Sequence, residues 1–120
     1  MDNTDVSVVI VNWNTEELLY KCIKSIKDKT SGLRYEIIVI DNNSADRSTV
    51  MMKREFPDCK LIKSKKNLGF GKGNNRAAKE ASGKYILFLN PDTQLITNTL
   101  YSSVRFLETH KEFGALGCKL

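Results

Sequence analysis

An α/β fold, with a mostly parallel sheet and helices on both of its faces, is predicted by three observations. Strand-like runs alternate with helix-like segments along the whole chain. Two of those runs, Val6 to Val11 and Tyr85 to Leu89, are almost continuously apolar, as strands buried on both faces are. Between the first two runs Leu19, Cys22, Ile23 and Ile26 recur at helical spacing and form one apolar stripe. The 120 residues are enough for one domain with one core, and no repeat, linker or low-complexity tract divides them.

Val6 to Val11 reads as the first strand. Asn14 is placed to cap the helix that follows, and Glu17 three residues on completes a capping-box pattern. Gly32 breaks that helix. Tyr35 to Ile40 is the second strand, and the polar turn Asp41 to Asp46 leads into a helix ending near Phe56 and Pro57. Lys60 to Lys63 is a short third strand. Leu68 to Asn74 reads as a glycine-rich loop, followed by a small-residue helix through Ala77, Ala78 and Ala81 with Gly83 as its C-cap. Tyr85 to Leu89 is the fourth strand, ended by Asn90-Pro91-Asp92. Thr97 caps a last helix that aligns Leu100, Val104 and Leu107, and Ala115 to Leu120 begins a fifth strand. A chain ending inside a strand is expected to be truncated at its C-terminus. It would leave a sheet edge open to pairing, with a homodimer as one outcome.

Composition narrows the function. Apolar residues make up 41% and charged residues 28%, ordinary for a soluble domain, and no run approaches the ~20 apolar residues of a membrane helix. The N-terminus, Met1 to Asp5, has no signal-peptide character. Cys22, Cys59 and Cys118 are odd in number and widely spaced, which excludes a zinc or redox motif and suits reduced thiols in the cytoplasm. His110 lies in a polar stretch and reads as a solvated helix residue. Between Lys60 and Lys84 eight basic residues stand against the single acid Glu80, a local excess that fits an anionic ligand. Phe70 is the only aromatic interleaved there, so nucleic acid is not the expected partner.

Ligands of doubly wound sheets bind beyond the C-terminal strand ends, so the strand exits carry the functional information. They are Asn12-Trp13-Asn14-Thr15, Asp41-Asn42-Asn43-Ser44-Ala45-Asp46 and Asn90-Pro91-Asp92-Thr93. Each alone is explained by turn chemistry; three on one edge point to a site. A carboxylate or amide there can accept the imide N–H of a pyrimidine, a task for Asp41 or Asn42. A carboxylate can also hold a hard divalent cation against a diphosphate, a task for Asp92. Gly69, Gly71 and Gly73 alternate in Asn67 to Asn75 and let backbone approach a ligand closely. The segment matches neither G-x-G-x-x-G nor a P-loop, and the first strand's exit contains no glycine, against a dinucleotide dehydrogenase and a P-loop ATPase.

These segments, in this order and at this spacing, resemble family 2 glycosyltransferases of the GT-A fold. Val6 to Asn14 resembles their first strand, Val39 to Asp46 their acidic turn, Asn67 to Ile86 the run into their metal motif, and Asn90-Pro91-Asp92 occupies the place of the Asp-x-Asp signature. Gly114 to Leu120 is similar to their next strand. The Asn-Pro-Asp and Gly-Phe-Gly-x-Gly-Asn-Asn combination resembles the rhamnosyltransferase-like subgroup. The resemblance implies a Rossmann-like GT-A nucleotide-sugar-binding half over residues 1–120. It implies transfer, with inversion, from a UDP- or dTDP-linked sugar to a glycan or lipid-linked acceptor in polysaccharide biosynthesis. Val11, Trp13, Asp41 and Asn42 would surround the base. Gly69, Lys72 and Asn75 would lie near the ribose and diphosphate, Asn90 would bind a ribose hydroxyl, and Asp92 would reach Mg²⁺ or Mn²⁺. The catalytic base is expected beyond Leu120, and the location is cytoplasmic, extending to the inner membrane surface. One departure matters: Asn90 replaces the first Asp of the signature and supplies no charge, so metal binding should depend on the donor's diphosphate. A non-catalytic nucleotide-sugar-binding module, or an inactive fragment, is the alternative. A sugar-1-phosphate nucleotidyltransferase would carry a glycine-rich basic loop after the first strand, which is absent.

Overall fold

The computed structural model describes residues 3–117. Its strands are β1 (Val6–Asn12), β2 (Tyr35–Asp41), β3 (Lys60–Lys63) and β4 (Tyr85–Leu89). They alternate with helices α1 (Glu16–Lys29), α2 (Ser48–Glu55), α3 (Phe70–Ala78) and α4 (Thr99–Thr109). The sheet order is β3-β2-β1-β4, and every pair is parallel. All seven residues of β1 are buried, as its continuous apolar run requires of a central strand. Its register sets Asn12 beside Asp41 and Ile10 beside Leu89, so the three polar exits emerge along one edge.

Side chains of β1 divide between two cores by the strand's alternation. Val6, Val8 and Ile10 meet Leu19, Cys22, Ile23 and Ile26 of α1, Met51 and Met52 of α2, and Leu100 of α4. Val9 and Val11 meet Ile38, Ile40 and Ala77 of α3. The apolar stripe of α1 is fully buried; Ile23→Ala there would leave a cavity at a cost of about 2–5 kcal/mol. Helices thus cover both faces over β1 and β2. Ile86 and Phe88 of β4 remain about half exposed beside Ser7 and Val9. Among the described residues, no helix is long and apolar enough to cross a membrane.

A clasp ties the opposite end of the sheet. Ser7 Oγ donates to Glu36 Oε2 at 2.5 Å and accepts from Gly83 N at 2.8 Å. Ser82 gives the same carboxylate oxygen its N–H and its hydroxyl at 2.7 and 2.9 Å. Burial raises the Glu36 pKa, and the hydrogen bonds from Ser7 and Ser82 more than offset it, so the carboxyl lies below its ordinary range. A side chain at Gly83 would bring its Cβ to 2.5 Å from Ser7 N. Gly83 is there for close approach, not as a helix C-cap; α3 already ends at Ala78.

Several sequence expectations shift. Thr15, not Asn14, precedes the first turn of α1, because the Asn14 amide is already committed to Ala45 N. Much of the expected glycine-rich loop is the start of α3, which begins at Phe70. The residue capping α4 is Asn98 rather than Thr97. His110 is the C-cap of α4, its ring stacked on Phe106 with centroids 4.1 Å apart, so it is not simply solvated. Residues 115–117 form no strand; the rest of the expected fifth strand and Cys118 lie outside the described residues.

Candidate functional site

The exits of β1 and β2 are fused by a buried polar network. Asn12 is fully buried and donates through Nδ2 to Asp41 Oδ1 at 2.9 Å and to Ser44 Oγ at 3.3 Å. Its Oδ1 accepts from Thr15 Oγ1 at 2.5 Å. Ser44 returns its hydroxyl to Asp41 Oδ1 at 2.7 Å and its N–H to Oδ2 at 3.0 Å. Asp41 thus holds the turn through both carboxylate oxygens, and Oδ2, which accepts a single hydrogen bond, keeps acceptor capacity. Asn14 and Asn43 adopt positive φ of 55° and 64°, the left-handed region asparagine tolerates better than most residues.

Asp46 extends the network to two helix starts. It accepts from the N–H and hydroxyl of Ser48 at the start of α2 and from Glu16 N at the start of α1. Burial raises its pKa, and these hydrogen bonds outweigh it, so Asp46 stays ionised below the ordinary carboxylate range.

Asn42 differs from its neighbour. It is 1% exposed, its Nδ2 donates to Gly69 O at 3.0 Å, and its Oδ1 is buried without a hydrogen-bond partner. An orphaned buried acceptor costs about 1–3 kcal/mol unless a ligand or water meets it. Turning the amide over would oppose Oδ1 to the Gly69 carbonyl, so the orphan cannot be removed by exchanging the two atoms. Gly73 makes the arrangement possible. A Cβ there would stand 3.2 Å from Asn42 Nδ2 and 3.2 Å from Val11, so glycine lets the first turn of α3 settle on both. Gly69 enters that turn at φ 84°, which a side chain would resist.

The first turn of α3 contains no acidic residue, and its N–H groups face the same edge with the positive end of the helix dipole. Lys72 and Asn75 are exposed on it, and Phe70 is 58% exposed. Trp13 is 53% exposed where β1 ends.

Across β1, the β4 exit is open. Asn90 and Asp92 are exposed, and the turn is closed by Thr93 N donating to Asn90 O at 3.1 Å. Neither side chain hydrogen-bonds within the described residues. Cys22 lies behind the turn, its Sγ 3.8 Å from Asn90 O; burial, and then the charge of Asp92, push its thiol up to about 12. That value leaves Cys22 protonated and inert. No group of three or more His, Cys, Asp or Glu stands together among the described residues. A single free carboxylate beside neutral Asn90 fits a hard cation whose other ligands come from a phosphate and water.

The structure therefore joins Asn42 to Gly69 directly, brings Val11 and Asn42 together against Gly73, places Trp13, Lys72, Asn75, Asn90 and Asp92 along the same edge, and sets Asp41 in the turn beside Asn42. Sequence reasoning missed Asn12, Ser44 and Gly73 as site-builders. A polar residue closing an otherwise apolar buried strand was the available signal for Asn12.

Known proteins share this sequence pattern and fold. The family described as glycosyl transferase family 2 matches residues 7–118. The minor teichoic acid biosynthesis protein GgaB of Bacillus subtilis is 31% identical over 113 residues, covering 91% of this chain and 13% of that protein. The S. aureus TarS 1–349 structure in complex with UDP superposes with a TM-score of 0.82 at 24% identity, over 90% of this chain and 33% of that one. Mannosyltransferase PcManGT from Pyrobaculum calidifontis, in complex with GDP-Man and Mn²⁺, gives 0.79 at 21% identity, over 89% and 33%. The two structures establish the fold, which is the GT-A arrangement anticipated from the sequence. The chain spans 13% of GgaB and about a third of each structure, so it corresponds to one part of longer proteins.

Proposed function

This chain belongs to glycosyl transferase family 2, and from that premise we propose that it is the donor-binding part of an inverting glycosyltransferase that uses a UDP- or dTDP-linked sugar. The observation that carries the reading is the orphaned Oδ1 of Asn42. A buried acceptor at the strand edge meets the imide N–H of uracil or thymine, which purine nucleotides lack on the same geometry. Val11, which meets Asn42 around Gly73, and Trp13, exposed at the end of β1, are assigned to the sides of the base. The first turn of α3 and Lys72 supply positive potential for the diphosphate, and Asn90 offers a hydrogen bond to a ribose hydroxyl. The TarS structure holds UDP on a chain of the same fold, which supports the assignment.

Asp92 would hold Mg²⁺ or Mn²⁺ at this edge; the Mn²⁺ in the PcManGT complex supports a divalent ion. Such an ion supplies charge neutralisation for the departing nucleoside diphosphate. The reaction is a single displacement in which an acceptor hydroxyl of a glycan or lipid-linked glycan attacks the anomeric carbon as the C–O bond to the diphosphate breaks. The hydroxyl proton passes to a general base. Of the acids at this edge, Asp41, Asp46 and Glu16 accept hydrogen bonds within the protein, Glu17 pairs with Lys21 and Asp92 is assigned to the ion, so the base is assigned to a part of the enzyme outside residues 3–117.

Calorimetry with UDP, dTDP, GDP and ADP in the presence of Mn²⁺ tests the reading. Pyrimidine nucleotides should bind preferentially. Asn42→Ala should weaken them about 10- to 100-fold. Purine preference, or unchanged affinity in Asn42→Ala, would refute it.

A further inference from the structure

A second surface, on the open β3 edge of the sheet, has chemistry that donor binding does not use. α2 exposes Val50, 46% accessible, and Lys53, and Pro57 follows just past its end. Between α2 and β3 lies a groove of about 150 Å³ whose lining includes Phe56, Pro57, Leu61 and Lys53. β3 ends in Lys63, and the turn after it exposes Lys65 and Lys66. Ser64 Oγ donates to Lys66 O at 2.6 Å and shapes that turn.

The positive charge here is uncompensated. The acids of the α2–β3 segment are already engaged, Glu55 with Arg54 and Asp58 with Lys27. Lys63, Lys65 and Lys66 make no ion pair among the described residues. Lys53 and Lys63 stand close enough for the Lys63 ammonium to hold that of Lys53 below its ordinary value. Two cations side by side with no carboxylate between them favour an external anion. The surface also borders the donor edge, since Lys63 pairs in register with Asp41 and Ser64 N donates to Asp41 O at 2.9 Å.

We propose that Lys53, Lys63, Lys65 and Lys66, with Val50 and the adjoining apolar groove, dock this chain on a bilayer containing anionic lipid, with the donor edge turned toward the membrane. Lysines act as point charges on flexible stems and suit a diffuse field of headgroups better than the fixed geometry of one phosphate. The exposed valine and the apolar groove suit a lipid interface and offer a hydrated phosphodiester polymer nothing.

The test is sedimentation of the 120-residue chain with vesicles of phosphatidylcholine alone or mixed with phosphatidylglycerol, without nucleotide. Its outcome is therefore separable from the donor assignment. The mixed vesicles should bind the chain and the neutral ones should not, with binding lost in 0.5 M KCl. K63Q/K65Q/K66Q should lower affinity about 100-fold, the effect of three lysines near an anionic surface. These side chains are exposed and make no ion pair among the described residues, and the thermal transition of the variant checks its fold. Trp13, the only tryptophan in the chain, reports orientation: brominated lipid should quench its emission. Undiminished vesicle binding by the triple variant would overturn the proposal. So would binding to soluble poly(glycerol phosphate) with none to vesicles, or self-association of the variant as its only defect, which would assign the lysines to protecting the sheet edge. Bound protein without quenching would overturn the orientation.

Discussion

The two sides of β1 at the strand ends are built on opposite principles. Toward β2, Asn12, Asp41 and half-buried Ser44 are hydrogen-bonded to one another, and buried Asn42 beside them is tied to Gly69 with its Oδ1 left without a partner. Toward β4, Asn90 and Asp92 are exposed and make no side-chain hydrogen bond in the described structure. One half of the site is finished before any ligand arrives, and its ordering cost belongs to folding. The other half consists of groups whose partners must be brought by the ligand, so its order is acquired on binding.

The contrast breaks most visibly at Asn12. Asn12→Ala removes hydrogen bonds to a buried carboxylate and should destabilise the chain by roughly 3 kcal/mol in urea unfolding. An equally large loss in Asp92→Ala would abolish the distinction between the two sides. On the open side, Asp92→Asn should leave stability within about 0.5 kcal/mol, as expected of an exposed residue. The same change should reduce UDP affinity about 10-fold when Mn²⁺ is present and hardly at all without it, measured by paired titrations. Equal losses with and without the ion would assign Asp92 to direct nucleotide contact.

Gly73→Ala sharpens the comparison at smaller scale. Alanine is the better helix former by about 1 kcal/mol, but its methyl meets Asn42 Nδ2 and Val11 at 3.2 Å. Stability should hardly change, while pyrimidine affinity falls about fivefold as Asn42 is displaced. The smallest effect is a control far from the site. The Glu36 carboxyl is depressed, so its contribution to stability is complete above the ordinary carboxylate value and is lost as pH falls through the lower folded-state value. Acid unfolding of Ser82→Ala should therefore depend less steeply on pH below about 4.3, the unperturbed glutamate value. Wild-type and variant curves of the same slope would remove Glu36 from the clasp.

Much of the scaffold was legible because burial leaves plain marks. The apolar run of β1 and the stripe on α1 lie where periodicity puts them, and both are buried throughout. The start of α3 was not legible. Three glycines in five residues argue locally for a loop, and only contact of Gly73 with Val11 and Asn42, with Ala77 in the core beyond, reveals why the backbone is helical there. Asn14 misled for a related reason: its residue type suits a cap, but its amide is taken by Ala45, 31 positions away. Asp41 and Asn42 could not be ranked as ligand groups from sequence. Adjacent turn residues differ in task only through their partners, and those partners, Asn12 and Gly69, come from opposite directions along the chain.

The central place of β1 in the sheet also has a consequence in time. Val6 pairs with Tyr35 on one side and with Tyr85 on the other, so β1 leaves the ribosome ahead of both neighbours and must wait until residue 85 and beyond are made before the second exists. Until then, Val8, Val9 and Ile10 sit on an unzipped edge with full aggregation potential. Translation speed through residues 35–85, and chaperone occupancy during that interval, should therefore govern the yield of native chain more strongly than they would for a sheet assembled from successive hairpins.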